Sequence, residues 1–208
     1  MKQVPFLVAA LALVLCGTLR AEDKTFKPDD DGFIRNWLML DSPISLDDKA
    51  SNHDEDNQKE FFNKDYITDQ KKMTPAEGQK VKIGDSEKTW KAIQSGDSII
   101  NFEEKDNSLY LGVVYLVCEN EIAGAMLSIG SDDSSLWRLN SDEIIRVYSG
   151  RGVDKDQDKS KPVTLKKGTN VLTAAVINGG GPTGMCARFL DKDDKPVKGY
   201  TISLTPPK

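Results

Sequence analysis

The chain of 208 residues has one histidine, His53, and that scarcity rules out much enzyme chemistry. A Ser-His-Asp triad would have to use this residue. It lies inside the acidic run Asp47 to Asp56, where a solvated side chain is the simplest reading. No Gly-x-Ser-x-Gly elbow offers a nucleophile. No Cys-x-x-Cys or His-rich pattern suggests zinc, and neither a P-loop nor a dinucleotide fingerprint is present. Paired carboxylates could hydrolyse a glycoside without histidine, but the 33 acidic residues are too many for sequence to single out a pair. Basic blocks are missing as well. Lys and Arg total 28, the net charge is −5 and the charges are interspersed, which argues against nucleic acid or an anionic membrane as partner.

Long apolar runs are also absent. Phe6 to Leu15 is too short to span a bilayer. With Lys2 before it and Leu19-Arg20-Ala21 before Glu22, it reads as a signal peptide over residues 1–21. Leu13-Val14-Leu15-Cys16 gives an alternative, lipid anchoring through Cys16, although leucine is a poor residue just before a lipidated cysteine. The leader carries two basic residues and no acid, so beyond it the balance moves from −5 to −7. Residues 22–208 then form a single domain, secreted or periplasmic, with enough chain for one core of sandwich size.

What is present is short strands. From Ala125 to Asn178, apolar runs alternate with turn signals: Gly130 to Ser134, Asn140 to Asp142, Gly150 to Gly152 and Lys166 to Gly168. That spacing predicts an antiparallel sandwich or barrel. Phe33 to Leu40 is a further strand, stopped by Ser42-Pro43. Asp97 to Phe102 is another. Leu109 to Val117, LYLGVVYLV, reads as a central strand covered on both faces, with Gly112 marking a bulge or close packing. Phe61, Phe62 and Tyr66 are spaced for a short amphipathic helix within 57–67, lying over one end of the sandwich. Thr74 to Gly78 is a turn or a single helical turn. Met185 to Leu190 and Tyr200 to Leu204 flank Asp191 to Lys195, a hairpin-turn signal.

Several short motifs occur in one order: Phe33-Ile34-Arg35 with Trp37-Leu38 at the start, Gly130-Ser131-Asp132-Asp133, Trp137 with Leu139-Asn140, Arg151-Gly152, Asp156-Gln157-Asp158, Leu165 to Asn170, and Asn178-Gly179-Gly180-Gly181. In this the chain resembles the secreted β-sandwich domains common in Planctomycetes and related bacteria, which are similar to galactose-binding-like jelly rolls and PA14-like modules. It departs from them at Ser134 and Ser141, where turn glycines are usual, and at Pro182-Thr183, which replaces an aromatic residue. The resemblance implies an all-β jelly roll with one or two short helices. It also implies a non-catalytic binding module for glycans or another extracellular ligand. The alternatives are a carbohydrate-active hydrolase or esterase of acetyl xylan esterase type, or its accessory domain, and a structural cell-surface interaction protein.

A sugar site needs an exposed aromatic platform with polar groups beside it. Trp90, Trp137 and Tyr148 are the candidate platforms and Arg151 the polar partner. Trp137, between Leu136 and Leu139 on a strand, competes with core packing, Trp90 reads either way, and Trp37 belongs to the core. Alternating Asp154, Asp156 and Asp158 suit a hard cation such as Ca²⁺. The competing reading is a charged surface turn fixed by Arg151 pairing with Asp156 or Asp158. Asp132 and Asp133 read as an Asx-type turn. Cys118 and Cys186 permit one disulfide, and free buried thiols are favoured because neither cysteine sits in a turn.

Overall fold

A computed structural model describes residues 25–207. The expected leader over 1–21, its expected cleavage site and Cys16 lie outside the described residues. The order of elements is β1 (Thr25–Phe26), β2 (Asn36–Leu40), β3 (Ile44–Ser45), α1 (Glu55–Asn63), β4 (Lys80–Ile83), β5 (Ser86–Gln94), β6 (Ile100–Asn101) and β7 (Ser108–Cys118). There follow β8 (Ile122–Asp132), β9 (Ser135–Leu139), β10 (Asp142–Val147), β11 (Asp158–Lys159), β12 (Val163–Leu165), β13 (Gly168–Asn178), β14 (Gly184–Leu190) and β15 (Tyr200–Ser203). All pairings are antiparallel. A ten-stranded sheet runs β10-β9-β13-β7-β2-β5-β4, with β1, β3 and β15 added at its side. A five-stranded sheet runs β11-β8-β14-β6, with β12 on β8. The protein is an all-β sandwich.

β7 shows why the fold forms. Side chains alternate between faces along a strand. Tyr110, Val114 and Leu116 point into the core between the sheets, while Leu109, Leu111, Val113 and Tyr115 point into a second core on the outer face of the large sheet. An unbroken apolar run is what a strand buried on both faces requires. β13 pairs with its full length, from Gly168 opposite Cys118 to Asn178 opposite Ser108. Gly112 lies within this regular ladder, so it marks close packing and not a bulge. A Cβ there would stand 2.7 Å from Met39 Sδ and 3.3 Å from Trp37.

The second core is covered by α1. Asp54 caps the helix by accepting from the backbone N–H of Asp56 and Asn57. The helix ends at Asn63, short of Tyr66, and Phe61 and Phe62 anchor it on the face of the large sheet rather than over an end of the sandwich. The strand expected over 97–102 shrinks to Ile100–Asn101. The turn at 191–195 forms, with Lys195 N–H donating to Asp191 Oδ1. It does not make a hairpin of β14 and β15, because β14 lies in the small sheet and β15 pairs with β7 and β1.

Cys118 and Cys186 are free and buried, one in each sheet. Burial pushes both thiols up, that of Cys186 to about 11. In a chain starting at Glu22, thiol titration without reductant is expected to find no reactive thiol in the native protein and two after denaturation. None after denaturation would establish a bridge.

Candidate functional site

Two of the candidate platforms are core side chains. Trp90 is 2% exposed and Trp137 0%, so neither ring faces solvent and the platform reading does not hold for them. Trp90 lies in the outer core with Leu40. Trp137 meets Trp37 edge-on between the sheets, with ring centroids 6.1 Å apart. Tyr148 is half-buried against Phe62, with Lys59 Nζ 5.8 Å from its ring centroid. Its hydroxyl accepts from Arg146.

Arg151 and the aspartates of the 154–158 loop form braces. Arg151 donates to the Ser131 carbonyl, to Ser131 Oγ and to Asp158 Oδ2. Arg188, on β14, holds Asp156 through Nε and Nη2, donates from Nη1 to the Asp31 carbonyl and stacks over Phe33, 4.6 Å from its centroid. Burial raises the Asp156 carboxyl, but hydrogen bonds from Arg188 and Ser128 outweigh it and hold the group below the usual carboxylate range. Asp154 uses its backbone carbonyl, which accepts from the Cys186 thiol. The three aspartates thus serve three different partners. Among the described residues, no three acidic, histidine or cysteine side chains come together to hold a metal ion. This donor set does not fit Ca²⁺, since an ion would have to displace two guanidinium groups.

A different group of residues converges where β8, β10 and β13 end. Asp133 is 6% exposed; its Oδ1 accepts from Arg151 N–H at 2.8 Å and its Oδ2 from Gly179 N–H at 2.8 Å. One carboxylate therefore ties three loops together. Asp106 accepts from Gly181 N–H, and Asn178 fixes the glycine run by donating to the Gly181 carbonyl and accepting from Gly180 N–H. His53 is half-buried and not a fully solvated side chain. A Cβ on Gly150 would stand 2.5 Å from its ring and one on Gly179 2.7 Å, so the imidazole is wedged between two glycine backbones. Its Nδ1 is buried without a hydrogen-bond partner. Ser134, at a position where a glycine is usual, donates to the Ser149 carbonyl and accepts from Ser149 N–H, joining β8–β9 to the next loop. Ser141 takes φ +76° in the β9–β10 turn, the conformation a glycine would supply.

Asp132 is the chemically distinct member. It is partly buried, and among the described residues it forms no ion pair. Burial, with the Asp133 carboxylate beside it, pushes its carboxyl up to about 6. Because the folded value lies above an unfolded value of about 4, the folded protein holds this proton longer. The resulting stability is full below about pH 4 and is lost as pH rises through about 6. Asp132→Asn mimics the protonated acid. Its melting temperature relative to the parent is expected to rise between pH 4 and pH 7, whereas a constant difference would show that Asp132 ionises normally.

Sequence reasoning read Asp132 and Asp133 only as a turn, and it missed the role of His53. The adjacency of Asp132-Asp133 to the glycine pairs was visible; the meeting of loops 53, 106, 132, 150 and 179 was not.

No family model matches the sequence, and no curated protein matches it. Among solved structures the chain is similar to a β-glucosidase from Kluyveromyces marxianus, at 18% identity over 53% of this chain with TM-score 0.35. The same enzyme in complex with glucose gives 16% identity over 57% with TM-score 0.33. The chain spans 15% of the length of those β-glucosidase chains. It is also similar to the PA14 domain of the MpAFP antifreeze protein, at 10% identity over 90% of this chain and 95% of that one, with TM-score 0.41.

Proposed function

We propose that this protein is a non-catalytic binding module that takes a glycan at the loop end around Asp132. The observation carrying this is the partly buried Asp132 carboxyl, raised to about 6 and without a cationic partner, beside Asp133 and the glycine backbones of loops 150 and 179. A carboxyl left in that state is completed by hydroxyl donors, which a sugar brings in pairs. Gly152 leaves room beside the carboxyl, since even a Cβ there would stand 4.0 Å from Asp132 Oδ2.

A glycan array probed with and without Ca²⁺ tests the reading. Binding lost in Asp132→Ala supports it. Turnover of acetylated or aryl glycosides would replace it with the hydrolase or esterase, and silence in both assays with a cell-surface interaction protein. Ca²⁺ and EDTA are expected to give the same melting point, because Arg188 and Arg151 already neutralise Asp156 and Asp158. A higher melting point in Ca²⁺ would restore the metal reading of the 154–158 loop.

A further inference from the structure

A second feature lies away from that loop end, where β7 changes partners. β15 pairs with β7 over Tyr115–Cys118 and β2 pairs over Gly112–Val113. The two strands separate between these points and leave a cleft of about 620 Å³. Phe26, Ala92, Ile93 and Leu204 give it apolar walls, Glu77 stands at the cleft and Asn36 lines it. Alternation along β2 puts Asn36 on the face of Leu38 and Leu40, toward Ala92. Asn36 is 4% exposed, and its Nδ2 is buried with no hydrogen-bond partner. Leaving such a donor unpaired costs about 1–3 kcal/mol, and native structures rarely carry that cost without a reason.

We propose that this cleft binds an acetamido group, with Asn36 Nδ2 donating to its carbonyl oxygen and its methyl resting on the apolar wall. The unpaired donor calls for an acceptor. Among the described residues, no lysine or arginine lines the cleft and Glu77 is the one charged group there, so a carboxylate or phosphate meets repulsion from it. A neutral carbonyl beside a small apolar group fits the donor and the wall together. An acetamido group is carried by N-acetylated sugars and by acetylated amino acids, and the chemistry of recognition is the same for both.

The test is amide NMR of the full chain titrated separately with N-acetylglucosamine, N-acetylalanine methylamide and glucose. Either acetylated probe is expected to shift the Asn36 side-chain amide and the backbone amides of Ala92 and Leu204 at concentrations on the order of 10 mM. The probe that binds tighter identifies the source as sugar or peptide. Ala92→Phe, which fills the cleft from a half-buried position, and Asn36→Leu are each expected to weaken the response at least about tenfold. Asp132→Ala leaves it unchanged, which separates this site from the loop end. Equal shifts with glucose, or no shift at these three positions while the amide spectrum stays dispersed, would overturn the proposal.

Discussion

Trp137→Ala is expected to cost the fold about 4 kcal/mol, the range for removing a large buried aromatic. The indole is 0% exposed and packs edge-on against Trp37. Its loss opens a cavity between the sheets that neighbouring strands, paired on both sides, cannot close. It also breaks a buried polar chain. The indole N–H donates to Ser135 Oγ, Ser135 to Ser131 Oγ, and Ser131 to the Asp133 carbonyl. The same residue thus supports both the core and the corner that carries Asp132. Urea unfolding checks this, with a lower midpoint expected at unchanged slope. Trp137→Phe keeps most of the ring and loses the donor, so it is expected to recover all but about 1–2 kcal/mol. Parental stability in Trp137→Ala would contradict the placement.

Gly130→Ala is the second large effect, expected at about 3 kcal/mol, the upper range for overpacking a rigid site. A Cβ at residue 130 would lie 1.7 Å from the backbone oxygen of Asp154 and 3.0 Å from Cys186 Sγ. Relief requires the 154–158 loop to leave the sheet, because the obstacle is backbone and not a side-chain tip. That movement pulls Asp156 from Arg188 and uncovers the Cys186 thiol, so slow labelling of native Cys186 should accompany the loss of stability. Gly96→Ala is the control. Nothing lies within 4 Å of a Cβ there, and a change within about 0.5 kcal/mol is expected. Equal stability of the two variants would show that the loop does not pack on Gly130.

The sequence alone determined what depends on neighbours along the chain. The nine apolar residues from Leu109 to Val117 specify a doubly covered strand, because a strand with one face in water has to alternate. The turn residues after β8, β9 and β14 mark where strands stop, since their backbone preferences are local. The pairing of Arg151 with Asp158 was among the readings of its loop, because residues seven apart across a turn can meet. Tertiary structure decided what depends on residues far apart. Whether Trp90 and Trp137 are platforms or core depends on which face is covered, and Trp90 is buried because the outer face of the large sheet carries a second core. His53 sits in a charged run, yet it is held by Gly150 and Gly179, far away in the chain. Asp156 finds Arg188 across a strand pairing, which removes it from any cation site that the spacing of its loop implied. Asn36 is an ordinary strand residue until β15 and β2 part beside it and leave its amide without a partner. In each case the chemistry of the residue follows from burial and from a distant partner, and these exist only once the two sheets have closed on each other.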